Sequence, residues 1–332
     1  RNIRVGQIDS EIGDLGDDEE LDLAGAEGLI ELLALGVAGF SGDKGDADDT
    51  RLVDLPVASL WFSTCVGTIC SPHFRFQDDA DLMLAKYVKH RIRRFRLQLA
   101  RFGRRAPCSV TRLGGKHGWP VCRDFVNADS VVYSFGVGDN VAWDLAMIEQ
   151  CGVQVQAFDP TPESIAWVAR QSFPEQFRFH DYGIAAFDGE LNFYPPKAAG
   201  RMHFSQDRQR FNAPGQATFA GRVYRLSTIA RQLGHSRIDV LKLDVEGTEF
   251  DCIPDLLASG LEIGQLLVEV HYVFPSRSFR EGVALLKRIE TAGFECFDIS
   301  ERGLEFGFIH RRLVADLAAR TGPDQASAIA SL

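Results

Sequence analysis

Two apolar runs end in residues whose types suit chemistry. The run "IDVLKLD" (238–244) closes on Asp244, with Glu246 two positions on and Gly247 turning the chain. The run "GQLLVEVHY" (264–272) carries Glu269 and His271 two apart, so on an extended strand they share a face. Core strands avoid carboxylates unless these are paired or serve a ligand, so acids that arrive as the apolar pattern ends mark a candidate crevice. His271 titrates near neutrality and suits removal of a proton from a hydroxyl, with Asp244 and Glu269 beside it. Pairing of His271 and Glu269 with each other or with backbone groups is the rival reading. A divalent metal on Asp244, Glu269 and His271 is chemically possible, but no spacing compels one and none is assigned.

A second constellation lies upstream. "SFGVGDN" (134–140) offers Gly136 and Gly138, which let a backbone pass close under a ligand, ahead of a helix whose first N–H groups lack partners. Asp159 follows about 20 residues on, where an acid accepts from ribose hydroxyls. A dinucleotide fingerprint needs a third glycine where Val141 stands, and Asp139 repels a diphosphate. The sulfonium and ammonium of S-adenosylmethionine tolerate such acids, so electrostatics favours that cofactor over NAD.

The elements that must position these residues alternate. From residue 130 onward, strands ("SVVYSFG", "VQVQAFD", "QFRFHDYG", "IDVLKLD", "GQLLVEVHY") interleave with helices ("NVAWDLAMIEQCG", "TPESIAWVARQ", "STIARQLG", "SFREGVALLKRIETAG"). Alternation of this kind predicts an α/β fold with a mostly parallel sheet and helices on both faces. "FECFDIS" and "LEFGFIH", separated by a short turn, predict an antiparallel hairpin at the sheet edge. In such a sheet, ligands bind beyond the carboxyl ends of the strands, where both constellations fall.

Upstream, residues 78–103 follow a helical rhythm and lead into "RLGGKHGWPVCRDF", read as a loop. Residues 1–54 hold 15 Asp/Glu against 4 Lys/Arg within a net charge of −10, so residues 1–77 read as an acidic accessory arm, partly disordered in expectation. The rest is nearly neutral, which argues against a nucleic-acid partner. No long apolar run predicts a transmembrane span. The chain begins with Arg, which implies a fragment or processed form and leaves localisation open. Seven cysteines show no zinc spacing; if Cys108 and Cys122 pair, as Cys65 and Cys70 also could, an oxidising, secretory compartment is implied. The segment 197–221, with Arg201, His203, Arg208 and Arg210, suits either an acidic or sugar-like acceptor or a mobile loop.

"VVYSFGVGDNVAWDLAM", "VQAFDPTPES", "HDYGIA" and "IDVLKLDVEGTEFDCI", followed by "LLVEVHY", resemble the FkbM-like S-adenosylmethionine-dependent methyltransferases. "CSVTRLGGKHGWPVCRDF" resembles the Cys/Gly-rich loop of an animal methyltransferase-like subgroup. The resemblance implies a class I, Rossmann-like seven-stranded domain at 130–311, entered through 78–129 and followed by a tail at 312–332. It also implies a cofactor site at Gly136, Gly138, Asp159 and Asp244; Phe135 beside the glycine turn, and Asp181 and Tyr182 at the end of the third strand, are expected to border the same cofactor, the last two at its adenine. The expected activity is methyl transfer, with O-methylation of a carbohydrate or small-metabolite acceptor. A non-catalytic binding module is the alternative, and an NAD-dependent oxidoreductase a more distant one. Oligomeric state is left open.

Overall fold

The computed structural model describes residues 90–106, 108–115, 118–195, 204–207 and 218–316. The chain divides into two units, Arg1–Val88 and Lys89–Leu332, and every described residue belongs to the second. The acidic arm, the Cys65–Cys70 pair, and Arg201, His203, Arg208 and Arg210 lie outside the described residues.

Strands that are apolar on both faces need cover on both faces, and the chain supplies it by returning after each strand through a helix. Five strands, β3 (Val131–Phe135), β4 (Gln154–Phe158), β5 (Phe177–His180), β9 (Arg237–Leu243) and β10 (Glu262–Glu269), lie parallel. Two more, β11 (Phe294–Ile299) and β12 (Glu305–His310), complete a seven-stranded sheet of order β11-β12-β10-β9-β3-β4-β5. β12 pairs antiparallel with both β10 and β11, so the expected antiparallel hairpin closes the sheet at one edge. The order reverses between β3 and β9, the topological switch point at which a crevice opens.

The two-residue period of the strands sorts side chains between the two cores. Tyr133, Phe135, Leu241, Leu243 and Leu266 face one core. Val132, Val155, Val240 and Leu267 face the other, beside Trp143 and Met147 of the helix Ala142–Cys151. Gly152 ends that helix with φ +71°, a left-handed stop that glycine adopts without a Cβ penalty.

Two features differ from the sequence reading. "RLGGKHGWPVCRDF" is not a loop throughout: it holds the end of β1 (Val110–Leu113) and all of β2 (Trp119–Cys122), which pair antiparallel as a β-hairpin. The alternation of apolar and polar residues in β1 is broken by the charge of Arg112, which hid the strand. A three-stranded sheet of order β6-β8-β7 is formed by β6 (Gly183–Ile184), β7 (Gly189–Phe193) and β8 (Phe219–Tyr224), where an irregular insertion was expected. β6 has only two residues, both buried, and β7 and β8 are half exposed, so their pairing rather than an apolar run defines them.

The hairpin is clamped to the large sheet by one buried side chain. Gln265 of β10 accepts from the Cys122 N–H at 2.8 Å and donates to the Cys122 carbonyl at 3.0 Å. Gln265→Leu leaves both backbone groups buried and unpaired, at about 1–3 kcal/mol each. Urea unfolding of this variant should lose about 2–4 kcal/mol, and an unchanged midpoint would show the clamp to be idle. Cys108 and Cys122 are free thiols here; the neighbouring Cys108 and burial push the Cys122 thiol well up.

Candidate active site

The glycine turn after β3 is shaped by its neighbour. Gly136 has φ +86°, and a Cβ there would lie 1.8 Å from the Asp244 carbonyl oxygen, so the two strand ends touch through backbone alone. The Asp244 N–H donates to the Phe135 carbonyl and the Gly136 N–H to the Phe158 carbonyl, extending the ladders to the crevice rim.

Asp159 holds this turn. Its Oδ2 accepts from the N–H groups of Val137 at 3.0 Å and Gly138 at 2.9 Å. Its Oδ1 accepts from the Thr161 N–H at 2.9 Å and the Thr161 hydroxyl at 2.6 Å. A carboxylate offers about four lone-pair positions, and the protein fills them. The sequence reading gave these oxygens to ribose hydroxyls; the folded chain gives them to the turn. Thr161 precedes the helix Pro162–Val168 as expected of an N-cap, but its hydroxyl serves Asp159 and Ser164 instead of the helix.

A cavity of about 850 Å³ runs across the carboxyl ends of the strands. Phe135, Gly136, Gly138, Phe158, Asp159 and Ile184 line one end. Phe135 and Phe158 stack at 4.3 Å, a flat floor beneath the turn. Asp244, Glu246, Glu269, Arg302 and Glu305 line the other end. Of the expected cofactor residues, Asp181 and Tyr182 are not in this wall. Asp181 is exposed and ion-paired with Arg222 at 2.8 Å, and Tyr182 packs edge-on to Tyr224. Gly183 and Ile184, the next two residues along the chain, do border the cavity.

The acidic end converges on His271, which is 4% exposed. Its Nε2 lies 4.0 Å from Asp244 Oδ1, 3.4 Å from Glu246 Oε2 and 3.7 Å from Glu269 Oε1. Behind it, Glu249 is fully buried. Glu249 Oε1 accepts from the His271 backbone N–H at 2.7 Å and stands 3.2 Å from Nδ1, while Oε2 accepts from the Gly247 N–H at 2.8 Å. Burial alone would lower the imidazole's affinity for a proton, but the charges of Glu249, Glu246 and Glu269 raise its pKa well above the ordinary value. Burial, with Asp244 nearby, pushes Glu269 up to about 8 against the pull of His271 and Arg302.

The sequence reading thus named Asp244, Glu269 and His271, and the fold brings them together. The part of Glu249 in orienting His271 was not foreseen. An acid that opens the helix Glu249–Ala258 reads from sequence as a partner for the helix dipole. Glu246 has φ +48° and turns its carboxylate to His271.

The hairpin and the helix Ala142–Cys151 supply a third wall that sequence reasoning did not foresee. Trp119, Trp143, Asp144 and Lys242 border the cavity there. Lys242 Nζ lies 5.0 Å from the centre of the Trp119 ring and 3.4 Å from the Gly136 carbonyl oxygen. Burial pushes the Asp144 carboxyl up, and the Lys242 charge pulls it back. The Trp143 indole N–H is buried without a hydrogen-bond partner among the described residues. A lysine inside the apolar run "VLKLD" was the available signal.

Crevice, glycine turn and strand-end acids on a mostly parallel seven-stranded sheet give the α/β architecture of methyltransferase domains. The Methyltransferase FkbM domain matches residues 131–296, half of the chain, and the protein belongs to that family. Among its relatives is the human protein named "Probable methyltransferase-like protein 24", 28% identical over 198 residues, 54% of this chain and 47% of that one. The Rattus norvegicus protein of the same name is 27% identical over 198 residues, with the same coverage. The chain therefore spans about half the length of the curated relatives it matches. A solved Pyrococcus horikoshii structure aligns over 67% of this chain and 81% of that chain, at 10% identity and a TM-score of 0.27, too low to bear on this site.

Proposed function

We propose that the protein transfers a methyl group from S-adenosylmethionine to an oxygen of a carbohydrate or small-metabolite acceptor. The observation that carries this reading is the two-ended cavity, with a glycine turn over an aromatic floor at one end and a carboxylate–histidine cluster at the other. The first end suits a nucleoside whose sulfonium would point toward the acids. The second suits a hydroxyl that must lose its proton as it attacks. The reaction is an in-line displacement: the oxygen bonds to the methyl carbon, the carbon–sulfur bond breaks, and sulfur keeps the electron pair.

Trp119, with the unpaired indole N–H of Trp143 beside it, supports a carbohydrate in particular, because a sugar offers both an apolar face and hydroxyls. Alignment within the cavity would supply much of the acceleration, since orientation can remove roughly 7–11 kcal/mol of a bimolecular barrier. Isothermal calorimetry with S-adenosylmethionine and with its demethylated product tests the cofactor, and both should bind one per chain. Absence of heat from either sinks the reading. Transfer of labelled methyl to a panel of monosaccharides and small alcohols tests the acceptor, with Trp143→Phe expected to raise KM more than it lowers kcat.

A further inference from the structure

We propose that Asp244, Glu269 and His271 bind a divalent cation of the Mg²⁺ or Mn²⁺ class at the acidic end of the cavity. One ligand atom from each residue lies within 4.8 Å of the others. His271 Nε2 is 4.0 Å from Asp244 Oδ1 and 3.7 Å from Glu269 Oε1, beyond hydrogen-bond length in both cases. An ion held at about 2.0–2.4 Å from each ligand separates the ligand atoms by about 3–4.5 Å, and both distances from His271 Nε2, 4.0 and 3.7 Å, fall in that range.

The orientation of the ring is the second support. Glu249 faces Nδ1 from 3.2 Å and is fully buried, so Nδ1 carries the proton it donates. The Nε2 lone pair is then turned toward the carboxylates of Asp244, Glu246 and Glu269, with Arg302 Nη2 at 3.3 Å from Glu269 Oε1 on their outer side. A carboxylate on the far nitrogen is the outer partner that metal-ligating histidines commonly have. Glu246 Oε2, 3.4 Å from Nε2, adds an oxygen within reach. Two carboxylates with one imidazole, and no thiolate, favour a hard or borderline ion over a soft one. Asp244 and Glu269 both border the cavity, so the remaining coordination positions face the space where an acceptor would enter.

The role of the ion rests on the methyl-transfer reading, although its binding does not. A hydroxyl on the cation loses its proton to water more readily, and the resulting alkoxide takes the methyl group while sulfur becomes a neutral thioether.

The competing arrangement is an imidazolium, with a proton in place of the metal. Mn²⁺ titration of the full chain, followed by electron paramagnetic resonance, separates the two. The expected result is one saturable Mn²⁺ site with ¹⁴N coupling from an imidazole, weakened at least about tenfold in Asp244→Asn and in Glu269→Gln. No saturable binding up to millimolar Mn²⁺, or binding without nitrogen coupling, overturns the proposal, and neither readout depends on a variant that folds. Asp159→Ala should keep the Mn²⁺ site while losing the cofactor. Mn²⁺ binding without S-adenosylmethionine binding would therefore retire the proposed function and leave the cation site standing.

Discussion

Asp159→Ala is expected to raise the Kd for the proposed cofactor, S-adenosylmethionine, by at least about 100-fold, equivalent to about 2.8 kcal/mol. The carboxylate accepts four hydrogen bonds, from Val137 N–H, Gly138 N–H and both donors of Thr161. Without it, three buried or half-buried backbone donors lose their partner, each at about 1–3 kcal/mol. The turn between β3 and the following helix then has nothing to hold it in a ligand-receiving shape, and binding must supply that ordering. Unfolding free energy should fall with affinity, by about 3 kcal/mol. Asp159→Asn keeps one acceptor oxygen and should lie between alanine and wild type. A direct ribose contact predicts a different pattern: affinity lost, stability unchanged. Calorimetry paired with chemical denaturation distinguishes the two.

Gly136→Ala should have the larger effect on folding. The added Cβ meets the Asp244 carbonyl oxygen at 1.8 Å, and φ +86° disfavours any L side chain. Neither backbone can yield easily, because the Asp244 N–H is bonded to the Phe135 carbonyl and the Gly136 N–H to the Phe158 carbonyl. The expected loss is at least about 4 kcal/mol, enough to unfold many domains of ordinary stability. Gly138→Ala is the control: its φ is +54°, yet nothing lies within 4 Å of the new Cβ, so the cost should stay near about 1–2 kcal/mol. Equal stability of the two variants would disprove the close approach of the strand ends.

The fold was largely legible because its signals are local. Apolar runs such as "VVYSF" and "VLKL" are strands wherever they lie, and Gly152 stops a helix from within its own turn. The convergence of Asp244, Glu269 and His271 was legible for a related reason: acids and a histidine at the ends of β9 and β10 share a rim once the strands are neighbours. The three-stranded sheet was not legible. One of its strands has two residues, the other two are half exposed, and β7 meets β8 by pairing between residues some 30 apart, which no local period reports. Asp181 shows the limit at one position, where an exposed salt bridge to Arg222 and a place in the crevice have the same sequence pattern.

By itself, the sequence determined the strands and helices of the seven-stranded sheet, its mostly parallel pairing and the residue types at its rim, since these follow from periodicity and from chain punctuation. Only the tertiary structure decided what each polar group does. Asp159 serves the turn because Val137, Gly138 and Thr161 reach it first. Glu249 serves His271 because a buried carboxylate takes the nearest donors. Hydrogen bonds and charges act over a few ångströms in three dimensions, and residues 22 positions apart meet only after the chain has folded.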